Sequence, residues 1–476
     1  MPRASSPTSV PRGSHQGAGE PGGRQPQNHA SEESSVSRFS VFCTVAPAVS
    51  PNRLLQALPD EPAVLWQPPT GPALLGLGEA GRVVASGPGR FAAVRQKATL
   101  LLARIEDSSM SDIEPVLLGG FAFSPDRSES SEWQVLGDAL FRLPRWTYRK
   151  EGENAHLLGV IERDADAATV SRFTAERETL LALLGELAND SEIAAAASAP
   201  ADLVVAAGSS DSDSGYDYWD AGTRNILEGI ASGDLTKVVQ ARRQTIQLDE
   251  GRGVAEVLEG LAPHGPTATR FAIREGDTAF VGASPERLVC KRGLSVSTEA
   301  LAGTAASGDQ AALLRSGKDL REQQLVVHEI VRALRPLCAR MEVPEVPQPR
   351  ELHGLVHLVT PISGILREPC HVLDLVEALH PTPAVGGLPR GSALRWIDGH
   401  EKAPRGWYAA PFGWIDRHGD GDFVVALRSS LLEGGRAHLY AGAGIVEGSD
   451  PQREYAEVEL KLETMRAAVA RGGEVE

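Results

Sequence analysis

The chain has 476 residues, a formal net charge of −16, 42% hydrophobic residues, 12 His and 4 Cys. That length suits two or three domains, or one large domain with an insertion. The acidic balance argues against a general nucleic-acid binder, which needs a basic footprint, and no apolar run reaches the roughly 18–20 residues of a membrane span. The cysteines (Cys43, Cys290, Cys338 and Cys370) contain no C-x-x-C pair and make neither a disulfide framework nor a metal clip, which fits a reducing cytoplasm.

Residues 1–37 are rich in Pro, Gly, Ser and Gln and nearly devoid of large apolar side chains, so they cannot offset the entropy of ordering and read as a disordered tail. Short β-like runs then recur at 40–46, 63–67, 90–94, 115–124 and 156–162, followed by a helical stretch at 169–187. The small, polar and acidic run 188–217 reads as a surface connection, and it divides an N-terminal portion, 38–205, from a C-terminal portion, 206–476. In the latter, a helix is predicted to end at Gly233, and LTKVVQARRQTIQL (235–248) alternates as a strand. TAFVGASPERLVC (278–290) reads as strand, turn, strand. An amphipathic helix covers 318–338 with a stripe of Leu320, Val327, Val331 and Leu334, paired strands cover 423–432 and 437–446, and a final helix covers 449–470. Strands that follow one another with helices set apart indicate an α+β fold with large antiparallel sheets.

The final helix is readable in detail. Ser449 and Gln452 fit a capping box, Tyr455, Val458, Leu462 and Met465 form a buried stripe, and Glu454, Glu457 and Lys461 form a charged stripe about 100° round from it. Two carboxylates at that spacing can share a hard cation such as Mg2+, with Glu322 as a third, or can simply face solvent. Gly442 and Gly444 lack the spacing of a dinucleotide fingerprint; they read as close backbone approach to an anion or as a bend in a sheet. Lys237 shares a strand face with Leu235, Val239 and Ala241, so it either snorkels out or is buried, and a buried lysine can serve as a base. Glu286 follows Ser284-Pro285 at a turn; there it is either exposed or desolvated and kept protonated as an acid. His357 and His380 lack metal spacing and read as core or turn histidines.

In this order, LTKVVQARR, FVGASPERLV, EALAGTAASG, KDLREQQLVV, GLVHLVTPISG, LHPTPAVGGLPR, RGWYAAPFGWID, FVVALRSS and AGAGIVEGSDPQREYAEVELKLETM resemble the chorismate-utilising enzymes over about 235–465. The resemblance implies one compact α+β unit and, within the family, is strongest to isochorismate synthases. It implies that Lys237 is the general base activating water at C2 of chorismate and that Glu286 is the general acid at the 4-hydroxyl. It further implies that Glu322, Glu454 and Glu457 hold Mg2+, that Tyr408, Arg428, Gly442, Gly444 and Lys461 bind the substrate carboxylates, and that Gly303, Thr304 and His357 line the ring. The implied enzyme is a cytoplasmic, monomeric isomerase with chorismate and isochorismate as ligands and with menaquinone or siderophore synthesis as the outlet.

Salicylate synthase and the aminodeoxychorismate or anthranilate synthase component I remain alternatives. Anthranilate relatives typically have Gln at the position of Lys237, and amino-transferring and salicylate-forming relatives usually have Thr where this chain has Ala384. A non-catalytic relative is expected to lack Lys237 or Glu286, and both are present. Gln323 stands where the family often has His, and Ala300 where it often has Pro.

Overall fold

Two large sheets, built mainly from apolar strands, organise the chain. A computed structural model describes residues 38–106, 113–125, 132–194, 215–248, 252–262, 267–306, 308–352 and 355–469. The expected tail, 1–37, and the expected boundary near 205 lie outside the described residues.

The first sheet has twelve strands, in the spatial order Gly387–Leu388, Lys237–Gln247, Arg436–Val446, Ser429–Glu433, Thr278–Ser284, Thr269–Glu275, Ala63–Gln67, Ala73–Leu77, Trp146–Glu151, Asn154–Glu162, Phe39–Val45 and Ile105–Glu106. Its pairings are antiparallel except that between Phe39–Val45 and Ile105–Glu106. The second sheet has ten strands and includes Ser295–Ala306, Leu355–Leu366, Arg287–Arg292, Gly421–Val425 and Leu117–Phe121. Both sheets therefore mix strands from before and after residue 205, within one unit spanning Ser37–Glu476. Thr278–Ser284 is buried along its whole length, because its sheet is covered on both faces. The α+β class expected from the sequence is what the chain adopts. No described helix is long and apolar enough to cross a membrane, and all four cysteines are free.

Four local expectations are corrected. Residues 90–94 begin the helix Arg90–Leu102, whose buried Phe91, Val94, Ala98 and Leu101 follow a 3, 4, 3 spacing rather than alternation. The stretch 423–432 is not one strand: Gly421–Val425 lies in the ten-stranded sheet and Ser429–Glu433 in the other, with the backbone turning at Arg428 (φ 47°). The amphipathic helix is Gly317–Leu334, and Cys338 opens a new strand. Its most buried face is Gln323, Val326, Ile330 and Leu334, because the helix packs on Ser295–Ala306 through that row. The last helix is Pro451–Val469; Asp450, not Ser449, caps it, its side chain accepting from the Arg453 N–H at 2.9 Å. Ser449 instead accepts from the Val446 N–H at 3.1 Å.

Candidate active site

The two sheets, the helix Gly317–Leu334 and the last helix meet around a cavity of about 450 Å³. The strand Lys237–Gln247 gives it a floor. Lys237, Val239 and Ala241 point the same way, and Val239 and Ala241 pair directly with Gly444 and Gly442. Residues paired across a ladder share a face, so the two glycines form a strip without side chains beside the lysine. A Cβ on Gly444 would lie 2.8 Å from both Glu322 Oε1 and Lys237 Cε, so any other residue would push those two side-chain ends aside. The glycines are therefore close-approach positions in a regular strand, not a bend.

Lys237 does not snorkel: it is 1% exposed, and its Nζ donates to Glu322 Oε1 at 2.7 Å. Glu286 is likewise 3% exposed. It sits where the chain passes from Thr278–Ser284 in one sheet to Arg287–Arg292 in the other, its N–H donating to Ser284 Oγ (3.2 Å) and its carbonyl accepting from the Val425 N–H (3.0 Å). Burial first, and the nearby Glu299 second, push its carboxyl up to about 8 against the pull of Lys237, Arg428 and Lys461. A second crossing, Val425 to Ser429, runs beside it and carries Arg428. This guanidinium is buried, faces the cavity, and leaves its Nε without a hydrogen-bond partner; burial lowers its affinity for its proton. Arg428 (φ 47°) and Ala409 (φ 62°) are the non-glycine residues with left-handed backbone among those described, and both line this cavity. Such strain is stored where surrounding structure holds it in place.

The predicted residues converge. Gly303, His357, Tyr408, Arg428, Gly442, Gly444, Lys461, Glu322, Glu454 and Glu457 all line the cavity with Lys237 and Glu286. Thr304 lies on the strand opposite His357, past a register shift between Ala302 and Thr304. Tyr408 stacks on Tyr440 with ring centroids 5.3 Å apart, and burial pushes its hydroxyl up to about 12. His380 is buried, its ring 3.1 Å from the Phe123 carbonyl oxygen, a core histidine as read.

Each of the three carboxylates expected to hold a metal is paired with a lysine: Glu322 with Lys237 at 2.7 Å, Glu454 with Lys318 at 2.7 Å and Glu457 with Lys461 at 2.6 Å. Burial raises Glu454 above the ordinary carboxylate range despite Lys318. Among the described residues no three acidic, His or Cys side chains are gathered closely enough to share an ion. Gln323, beside Glu322, is committed to the second sheet, donating to the Ala300 carbonyl (3.0 Å) and Thr360 Oγ1 (2.9 Å).

Residues 26–470 match the family described as chorismate binding enzyme. The chain belongs to the chorismate binding enzymes. It is 38% identical over 419 residues to the salicylate biosynthesis isochorismate synthase of Pseudomonas aeruginosa, covering 86% of this chain and 85% of that one. It is 36% identical over 373 residues to the isochorismate synthase MenF of Bacillus subtilis, covering 76% of each. Among solved structures it resembles MenF, the menaquinone-specific isochorismate synthase of Escherichia coli, with a TM-score of 0.73 and 26% identity over 91% of this chain and 95% of that one. It shares the fold of anthranilate synthase component I from Streptococcus pneumoniae, with a TM-score of 0.59 and 20% identity over 93% and 95%.

Among the cavity residues that the sequence motifs do not single out, Lys318, Ala409 and Arg405 stand out. Lys318 stands in the first turn of a helix, where the helix dipole disfavours a cation, and that misplacement is a signal for an anionic partner. Ala409 gives no sign of its left-handed backbone. Arg405 lines the cavity while fully engaged behind it.

Proposed function

We propose that this chain is an isomerase that interconverts chorismate and isochorismate. The carrying observation is a buried carboxyl held near 8, Glu286, in one cavity with a buried lysine, Lys237, and a buried guanidinium, Arg428. The names of the relatives support the same reading.

The reaction exchanges a hydroxyl at C4 for one at C2, and hydroxide is a poor leaving group. Lys237, acting as a neutral amine released from Glu322, takes a proton from water as the water oxygen bonds to C2. The ring double bonds shift, the C4–O bond breaks, and Glu286 gives its proton to the departing hydroxyl, which leaves as water. At neutral pH a carboxyl with its midpoint near 8 is largely protonated, as an acid must be. The bonds made and broken are of the same kind, so the reaction is reversible. Arg428, Lys461 and Tyr408, with the side-chain-free strip at Gly442 and Gly444, suit the two carboxylates of the substrate.

The donor set of Glu322, Glu454 and Glu457 is all carboxylate oxygen, the chemistry Mg2+ takes, and would hold it if their lysine partners gave way and the three carboxylates drew together. Held there, Mg2+ would supply charge neutralisation and orientation to a ring carboxylate. Ala384 lines the same cavity and favours hydroxyl exchange over the salicylate- and amine-forming alternatives, on the family resemblance. We further propose a cytoplasmic monomer whose product enters menaquinone or siderophore synthesis.

The test is purified protein with chorismate and Mg2+, the products separated by chromatography. Isochorismate without pyruvate above background is expected, with loss of turnover on chelation and recovery on Mg2+ addition. Dominant salicylate plus pyruvate, or ammonia-dependent anthranilate, overturns the reading; turnover unaffected by chelation overturns the metal.

A further inference from the structure

The strand carrying Lys237 has a full neighbour on one side only. Along that side it pairs with Arg436–Val446 over its whole length, but on the other the two-residue strand Gly387–Leu388 reaches only Lys237 and Val238. Past Val238 the edge still presents backbone groups, and leaving them buried and unpaired would be costly. The Val239 N–H donates to the Gly386 carbonyl at 2.9 Å. The next two groups are met by side chains: the Val239 carbonyl accepts from Arg405 Nη2 at 2.8 Å, and the Ala241 N–H donates to Glu401 Oε1 at 3.0 Å.

These two side chains are themselves a buried pair, with Arg405 Nε 2.8 Å from Glu401 Oε2 and Nη2 2.5 Å from Oε1. The remaining arm of the guanidinium, Nη1, donates to the Val385 carbonyl at 2.7 Å, and its carbon lies 4.4 Å from the centroid of the Phe123 ring. The Arg405 carbonyl accepts from the Tyr408 N–H at 2.9 Å. One residue thus touches the strand of Lys237, the turn that carries Ala384 and the turn that carries Tyr408. Burying an ion pair adds little to stability compared with apolar packing. Here, however, an apolar pair could not serve, because the strand edge needs one donor and one acceptor at fixed positions.

We infer that Glu401 and Arg405 are positioning residues: they stand in for the missing stretch of neighbouring strand and set Lys237 at a fixed distance from the Ala384 turn. The inference rests on the proposed reaction for its kinetic test. Arg405→Lys keeps the charge but not the planar fork, and cannot hold Val239, Val385 and both Glu401 oxygens together. With chorismate, kcat is expected to fall about 100-fold, as for a base misplaced by around an ångström, with KM within about threefold, since the carboxylate-binding groups are untouched. Glu401→Gln keeps an acceptor for the Ala241 N–H and is expected to lose about tenfold, because only the charge-assisted part of the hold is removed.

Thermal melts show how much of each variant is folded, and amide hydrogen exchange of 237–241 reports the strand edge independently of activity. Faster exchange there with a kcat loss at full folding supports the inference, and Glu401→Gln serves if Arg405→Lys does not fold. Wild-type kcat in either variant, losses in proportion to unfolded protein, or unchanged exchange at 237–241 overturns it. Wild-type protein that does not turn over chorismate overturns the proposed reaction instead, and the exchange measurement then still decides whether the pair holds the strand.

Discussion

Among the described residues two buried lysines stand on strands, each paired with a carboxylate, and their surroundings differ. Lys291, on Arg287–Arg292, pairs with Asp420, just before the neighbouring strand Gly421–Val425. Asp420 also accepts from the Gly293 N–H at 2.8 Å, so the pair closes two turns onto each other. Lys237 pairs across a cavity with a carboxylate from a helix, next to Glu286 and Arg428 and above a strip of glycines. Burial of a lysine is therefore no mark of a site by itself. The mark is a buried lysine facing open volume, with a second group of opposite proton demand in the same space.

Substitution can break that contrast. Lys237→Ala is expected to cut kcat per folded molecule by about 10³-fold, within the range for a lost acid–base group, and to lower the melting temperature as well, because Glu322 is left without its cation. Lys291→Ala is expected to leave kcat per folded molecule unchanged while costing about 3 kcal/mol, because Asp420 is left without its cation; denaturant titration measures it. An equal loss of turnover in both would erase the distinction.

Glu286→Gln is expected to lower kcat by about 10²-fold and to change the pH response. In the wild type kcat/KM should fall as pH rises through about 8, where the acid loses its proton. Stability follows the same sign. The folded carboxyl holds its proton more tightly than the unfolded one, so folding loses stability as pH rises from the ordinary carboxylate range to about 8. Glu286→Gln should flatten that slope and melt higher than wild type at pH 9. A slope unchanged by the substitution would remove Glu286 from the role.

Glycines sharpen the comparison on a smaller scale. Gly444→Ala places a Cβ 2.8 Å from Glu322 Oε1 and Lys237 Cε and should lower kcat by about tenfold, by displacing the lysine. Gly293→Ala, at φ 55° with open space around it, should cost only about 1 kcal/mol and no activity. The smallest effect is expected from Ala409→Gly, which relieves a left-handed backbone and should raise stability by up to about 1 kcal/mol in thermal melts.

The sequence made periodic elements legible and tertiary ones illegible. Ala63–Gln67 is legible as a short apolar run and Lys237–Gln247 by its alternation, since both patterns leave a trace in the residues. Residues 90–94 alone look extended, because the helical row of Phe91, Val94, Ala98 and Leu101 shows only when the stretch is followed to Leu102. The crossing at Arg428 left no trace, since a positive φ at a non-glycine residue is imposed by its surroundings. Lys237, Glu286 and the acidic residues were legible as motif members. The match of Glu454 to Lys318, 136 residues away, and the role of Arg405 against Val239, 166 residues away, exist only once the chain has folded.

The pairing of Lys237–Gln247 with Arg436–Val446 has a consequence for synthesis. A ribosome adding about 5–20 residues per second takes about 10–40 s to travel between the two strands. Throughout that interval the strand that bears Lys237 has emerged without its long neighbour, and its apolar face and backbone edge are open to other nascent chains. Chaperone demand during translation should therefore peak late, and protein truncated before residue 436 should aggregate rather than accumulate as a folded N-terminal half.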